Sequence, residues 1–392
     1  MMYDADVLII GGGLAGLTAA IHLAKANQRV MLLEKHAYPQ QKVCGEYVSN
    51  EVLPYLYHLG IAVNELKPAR INRFLLSTTA GKTIESLLPL GGFGVSRYAL
   101  DQYMATTAQR AGVAIEPQTE VTDVAFTSDA FVVTTSIKRQ YTAKIVIGAY
   151  GKRSQLDKRL QRAFFQQESP WLGVKAHYRA NVPADQVALH NFEGGYCGLS
   201  QVENEAVNAC YLANYASFKP FRNVDSFQKQ VLEKNPHLRD FFAEATPLFD
   251  KPLTISQISF SRKKPVENHI LMCGDTAGLI HPLCGNGMAM AIHSAKLAAE
   301  LIIRFFAGDL ATRSLLEAHY TKAWSAEFKS RLLTGRIVQS ILTSPRTTAT
   351  LLSSLHLVPG LLPIIIKQTH GRPLLVSQQQ SLINNLLNHQ QT

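Results

Sequence analysis

ADVLIIGGGLAGLTAAIHLAKANQRVMLLE, residues 5–34, decides the fold. The apolar run Ala5–Ile10 reads as a buried strand and ends in Gly11-Gly12-Gly13. Residues Leu14 to Ala24 then carry apolar positions at helical spacing, and Arg29 to Glu34 is a second apolar run. Strand, glycine turn, helix and strand within about 30 residues begin a doubly wound α/β sheet. In the spacing Gly11-x-Gly13-x-x-Gly16 the first glycine permits the tight turn. The second lets a pyrophosphate reach the backbone, and the third lets helix and strand pack closely. The phosphates then meet the positive end of the helix dipole. Glu34, ending the second strand, is placed to bind ribose hydroxyls and argues against a 2′-phosphate there. FAD and NAD fit this motif equally.

Outward from this unit, Tyr98–Gly112 reads as a helix, and Val113–Ile115, Val121–Thr127, Phe131–Thr135 and Lys144–Ala149 read as strands. From Trp171 to Tyr215 alternation in Leu172–Tyr178, Val187–Phe192 and Val207–Tyr215, separated by Gly, Asn and Pro, predicts an antiparallel sheet. A helix over Val224–Asn235 and a strand over Leu253–Ser259 follow. The apolar run Ile270–Cys273 then leads into Gly274-Asp275 and a long helix from about Asn286 to Ala307. The expected organisation is a discontinuous Rossmann-like domain (1–154 and 262–308) and a substrate-binding β-sheet domain (71–98 and 155–261). A helical C-terminal region (309–392), broken at Pro345, Pro359 and Pro363, completes it.

The 392 residues are 46% hydrophobic and 17% charged, enough for a large core. The net charge of +10 is diffuse. The densest basic patch, Arg262-Lys263-Lys264, has no interleaved aromatics, so nucleic acid is not expected as a partner. The N-terminal residues do not resemble a signal peptide. The five cysteines are scattered and include no Cys-x-x-Cys pair, which predicts reduced thiols, a cytoplasmic protein and no metal site.

The stretch Leu271-Met272-Cys273-Gly274-Asp275-Thr276-Ala277-Gly278-Leu279-Ile280-His281-Pro282, followed by Gly285-Asn286-Gly287-Met288, resembles the flavoprotein superfamily of para-hydroxybenzoate hydroxylase and the geranylgeranyl reductases. The resemblance covers roughly residues 4 to 308 and implies FAD. By it, Asp275 contacts the ribityl and pyrophosphate region, while Pro282, Gly285, Asn286, Gly287 and Met288 line the flavin. It likewise implies cofactor contacts from Gly11, Gly13, Ala15, Gly16, Glu34, Lys35 and Val121. Arg97, in Val95-Ser96-Arg97-Tyr98-Ala99-Leu100-Asp101, matches an arginine near the ribityl and phosphate groups. Guanidinium geometry suits that task.

Lys42-Val43-Cys44-Gly45-Glu46 is similar to the reductase branch, in which a Cys-Gly pair sits beside the flavin. This makes Cys44 and Gly45 cofactor neighbours and Cys44 the candidate catalytic proton donor, with Cys210 expected to matter only for packing. Tyr196, in Gly194-Gly195-Tyr196-Cys197-Gly198-Leu199-Ser200, falls where geranylgeranyl reductases carry a substrate-facing Tyr-x-Trp-x-Phe-Pro strand and is the substrate-pocket candidate. The tryptophan is missing, which also disfavours halogenation. Tyr150 replaces an aspartate that the hydroxylases link to FAD and NAD(P)H, so NAD(P)H is a candidate reductant and the electron donor stays open.

The expected activity is flavin hydride transfer to a carbon–carbon double bond of an apolar isoprenoid, lipid or polyketide, with Cys44 or a water giving the proton. A group A monooxygenase and a flavin electron-transfer protein are the alternatives. Substrate identity and oligomeric state stay open. The apolar segment Leu351–Lys367, flanked by Arg346 and Arg372, predicts peripheral contact with anionic bilayers; the same segment could instead cover the substrate domain.

Overall fold

A computed structural model describes residues 3–281, 285–342 and 361–375. Two sheets organise it. The first has eight strands. Its path runs Val266–Glu267, Ile270–Met272, Gln140–Gly148, Ala5–Ile10, Val30–Leu33, Ala114–Glu116, with Val121–Thr127 and Ala130–Thr135 attached as a hairpin to Gln140–Gly148. Ile270–Met272, Gln140–Gly148, Ala5–Ile10, Val30–Leu33 and Ala114–Glu116 are parallel. Such a sheet needs cover, and its strands are almost wholly apolar: Val7, Leu8 and Ile9 have no solvent exposure. The helices Leu14–Lys25, Arg97–Arg110 and Gly287–Phe306 pack together as cover.

The N-cap of Leu14–Lys25 is Gly13, which makes no side-chain capping bond, and no acidic residue stands in the first turn. The helix Gly287–Phe306 begins in the same way after Asn286. Both helices therefore leave first-turn N–H groups for something other than a protein cap.

The second sheet has nine strands, running from Thr246–Pro247 through Trp171–Arg179, Val207–Asn214, Gly195–Gln201, Gln186–Phe192, Ala69–Ser77 and Thr83–Gly94 to Tyr47–Ser49, with Leu253–Ile255 also paired to Trp171–Arg179. Only the contact of Gln186–Phe192 with Ala69–Ser77 is parallel. Sequence reading differs from the structure in several places. The helix expected over Val224–Asn235 ends at Gln230 and is followed by an unexpected one, Pro236–Glu244, started by Asn235 capping His237 and by Pro236 at its first turn. The strand expected over Leu253–Ser259 stops at Ile255. Ala69–Ser77 and Thr83–Gly94 form a long hairpin not seen as strands. Pro363 does not break the chain: it lies within the helix Leu361–Thr369. Pro345 and Pro359 lie outside the described residues.

Candidate active site

One cavity of about 720 Å³ runs from the glycine turn to the face of the second sheet. At the turn, Gly11 has φ +102°, and a β-carbon there would stand 2.5 Å from the Ala149 carbonyl oxygen, so only glycine fits. Gly13 faces the cavity. A β-carbon on it would meet no backbone, only Arg97 Nη2 at 3.4 Å and Lys42 Nζ at 3.9 Å. Two cations therefore bracket the space beyond a helix N-terminus, an arrangement suited to a pyrophosphate.

Both cations are held by Asp101. Arg97 Nε and Nη2 donate to its two oxygens at 2.7 and 2.8 Å, and Lys42 Nζ donates at 3.0 Å. Burial would raise the Asp101 pKa, but Arg97 and Lys42 outweigh it and hold the carboxyl below the usual range.

Glu34 lines the cavity with Lys35, Ala15 and Val121. Its carboxylate also accepts from Gly12 N–H at 2.6 Å and His36 N–H at 3.0 Å, while the Tyr38 hydroxyl donates to the Gly12 carbonyl at 2.6 Å. Glu34 thus shapes the glycine turn as well as facing the ribose position. Gly16, expected among the cofactor contacts, does not line the cavity: its β-carbon would lie 1.9 Å from the Gly11 carbonyl oxygen, so its place is in helix–strand packing.

Cys44 and Gly45 line the middle of the cavity. Their loop is fixed from outside by Lys152 Nζ to the Val43 carbonyl at 3.1 Å, Asn208 Nδ2 to Cys44 O at 3.2 Å and Ser200 Oγ to Gly45 O at 3.4 Å. Cys210, expected to matter only for packing, is a neighbour on the same cavity wall, and burial pushes its thiol up to about 12. Glu46 is fully buried. It receives Lys175 Nζ, His177 Nε2 at 2.6 Å and the Arg97 main-chain N–H at 2.7 Å. This carboxylate ties the loop, the Arg97 helix and the second sheet together.

Asp275 lines the cavity, and its main chain is held by Lys263, whose Nζ donates to the Asp275 carbonyl at 2.7 Å and to that of Lys152 at 2.8 Å. Burial lowers the Lys263 pKa to about 8. Beneath it, buried Arg162 pairs with Asp157 at 2.8 Å and donates to the Thr276 carbonyl at 3.0 Å. Tyr150, at the family aspartate's place, lines the cavity with its hydroxyl 3.5 Å from Arg162 Nη1.

Gly285, Gly287 and Met288 line the cavity; Asn286 does not, because its side chain turns away to donate to the Thr369 carbonyl at 2.9 Å. Pro282 lies outside the described residues.

The far end is apolar, walled by Phe74, Leu76, Leu88, Val187, Leu189, Ile255, Ile258 and Leu279. Tyr196 belongs to this wall, its ring 5.8 Å from that of His281. Leu362, Ile365, Ile366, Thr369 and His370 close it from the C-terminal helix, whose segment sequence reading gave to lipid contact or to covering the substrate domain. Lys42, Asp101 and Glu46 stood in motifs already singled out, yet their pairing across the fold left no local signal.

A glycine cradle with paired cations, an acid at the second strand end and an apolar chamber beyond define a flavin-dependent oxidoreductase. Residues 4–326 match the FAD binding domain family, and the chain belongs to it. It is 25% identical over 356 residues to conditioned medium factor receptor 1 of Dictyostelium discoideum, covering 82% of this chain and 68% of that protein. It is 27% identical over 351 residues to digeranylgeranylglycerophospholipid reductase 1 of Methanothermobacter thermautotrophicus, with 81% and 82% covered. A geranylgeranyl bacteriochlorophyll reductase-like protein from Thermoplasma acidophilum shares the fold, with a TM-score of 0.72, 19% identity, and 88% and 89% covered. The protein is a FAD-dependent oxidoreductase.

Proposed function

We propose that this enzyme reduces a carbon–carbon double bond of a long apolar substrate of the isoprenoid or lipid class. The observation that carries the reading is the continuity of the cavity: the wall that holds Cys44 and Gly45 runs without interruption into aliphatic side chains of the second sheet and C-terminal helix. Burial of apolar area there favours a hydrocarbon chain by about 25 cal/mol per Å². The resemblance to the digeranylgeranylglycerophospholipid reductase supports the same class. When bound, FAD supplies the hydride. Asp101 holds Arg97 and Lys42 against the diphosphate, Glu46 fixes the cysteine loop, the apolar wall orients the chain and excludes water, and Cys44 Sγ holds the proton for the second carbon.

The test is anaerobic: the holoenzyme is reduced with NADH or NADPH, then given a polyprenyl substrate. A product heavier by two hydrogens is expected. Hydroxylated product with coupled oxygen consumption would overturn the reading in favour of a monooxygenase. In the same assay Cys44→Ser should keep FAD and lose about 100-fold in turnover, the lower end of what a positioned general acid contributes. A larger loss in Cys210→Ser, without loss of stability, would move the role to that neighbouring thiol.

Peripheral attachment to an anionic bilayer belongs to this reading. Among the described residues no helix is long and apolar enough to cross a membrane. Residues 351–360 of the region expected to meet lipid lie outside the described residues. In the helix Leu361–Thr369, Leu362 and Ile366 are buried, whereas Ile364 is 54% exposed; the helix packs beside the strand carrying Leu87, 70% exposed. These outward side chains and the net charge of +10 support lipid contact close to the apolar chamber. Leu87→Glu with Ile364→Glu should abolish co-sedimentation with anionic liposomes at low salt. Wild-type protein that stays in the supernatant would end this part of the proposal.

A further inference from the structure

The loops that carry Asp275, Lys152 and Cys44 all line the cavity, and a lysine outside its lining ties them together. Lys263 is half-buried. Its Nζ donates to the Asp275 carbonyl at 2.7 Å and to the Lys152 carbonyl at 2.8 Å, and it lies 4.3 Å from the centre of the Phe164 ring. An ammonium offers three N–H donors, so two carbonyls and an aromatic face make a complete seat for it. The Cys44 loop is reached one bond further on, because Lys152 Nζ donates to the Val43 carbonyl at 3.1 Å.

This tie is distinct from the bonds that keep the two chains side by side. Gly151 N–H donates to Thr276 Oγ1 at 2.8 Å, and Arg162 Nη2 donates to the Thr276 carbonyl at 3.0 Å. Arg162 is itself paired with Asp157 and Glu267. Those contacts hold Gly151 and Thr276, whereas the carbonyls of the next residue on the one side and the preceding residue on the other are taken by Lys263. Loss of Lys263 should therefore leave the fold and loosen the loops.

Charge around the ammonium is mixed. Burial is the largest influence and lowers its pKa to about 8; Asp157 and Asp275 favour the charged form, and Arg162 and Arg153 oppose it. Tyr150, whose hydroxyl is 3.5 Å from Arg162 Nη1, is kept protonated by burial.

We infer that Lys263 is a positioning residue that couples the grip on FAD to the placement of the Cys44 thiol: through its two carbonyls and the Lys152 side chain, the Asp275 and Cys44 loops are set as one unit. The inference concerns the cofactor end of the cavity and does not depend on the class of substrate.

Two measurements on holoenzyme test it. The first is FAD affinity, read from flavin fluorescence on dilution. The FAD diphosphate is anionic and favours the ammonium, so binding takes up a proton wherever Lys263 is neutral in the free protein, and affinity falls as pH rises above about 8. Wild type is expected to lose about 10-fold between about pH 7 and about pH 9.5, the equivalent of one pKa unit. Lys263→Met should bind FAD about 10-fold more weakly at neutral pH, as for a lost charge-assisted hydrogen bond, and lack that part of the pH dependence. The second is alkylation of Cys44 by iodoacetamide at saturating FAD, read on its peptide by mass spectrometry. It should be about 5-fold faster in Lys263→Met, the size of one ordinary hydrogen bond. Lys152→Met should also speed it, and adding Lys263→Met should then speed it no further, because the link to Val43 is already gone. Wild-type affinity that does not change with pH, an unchanged pH dependence in Lys263→Met, or additive effects of the two substitutions on Cys44 would each overturn the assignment. If Lys263→Met yields no folded protein, the wild-type pH profile decides alone.

Discussion

Glu46→Gln is expected to destabilise the protein by about 3–5 kcal/mol, the cost of removing one partner from a buried ion pair. Glu46 and Lys175 are both without solvent exposure, and His177 is nearly so. A neutral amide cannot balance the Lys175 ammonium, so a cation is left in a low-dielectric interior. The main chain adds to this: Glu46 has φ +56°, a conformation disfavoured for a side-chain-bearing residue, and its hydrogen bonds help to hold it there. Equilibrium unfolding with urea should show the loss at pH near 7.

The pH dependence has a definite sign. Burial alone would raise the Glu46 pKa, but the His177 hydrogen bond and the Lys175 charge overcome it and hold the folded value below the ordinary one. Its contribution is therefore complete above the unfolded carboxylate pKa, about 4.3, and is lost as pH falls through the lower folded value. Part of the wild type's acid loss should be missing in Glu46→Gln. Adding Lys175→Met to it should recover stability, because the orphaned charge goes too. Equal stability of wild type and Glu46→Gln at neutral pH would show that the hub holds nothing together.

The glycine turn, Glu34 and the Gly274-Asp275 loop were legible because each is local: spacing, periodicity and strand ends all lie within a short stretch. The Glu46 hub was not, since its hydrogen bonds to Lys175 and His177 span 129 and 131 residues. Arg262-Lys263-Lys264 read only as the densest basic patch, yet the middle lysine turns inward to two main-chain carbonyls, a choice set by the opposite loop and not by its neighbours. The apolar pattern of Leu361–Thr369 was visible, but periodicity reveals only that a face is buried. Whether it meets lipid or a chamber depends on the strand Thr83–Gly94 and helix Arg313–Leu342 against which it packs.

Gly13→Val and Gly16→Ala, only three residues apart, should fail in opposite ways. At Gly13 the backbone is extended, with φ −85°, so valine meets no conformational barrier. Its β-carbon also clears the protein, because the nearest atoms are the ends of two flexible side chains, Arg97 and Lys42. The variant should fold, but its side chain fills the space through which a pyrophosphate reaches the first-turn N–H groups of Leu14–Lys25. Loss of two charge-assisted hydrogen bonds at about 1.5–3 kcal/mol each weakens FAD binding by at least about 100-fold. The protein should then purify colourless, with apo-protein unfolding close to that of wild-type apo-protein. Gly16→Ala should instead lose the fold: its β-carbon would sit 1.9 Å from the Gly11 carbonyl oxygen, a main-chain atom held by the strand Ala5–Ile10, and no side-chain rotation relieves that contact. Little folded protein is expected, and FAD in excess should not restore it. Stoichiometric FAD in purified Gly13→Val would remove the pyrophosphate from this turn, and a Gly16→Ala protein as stable as wild type would remove Gly16 from the helix–strand contact.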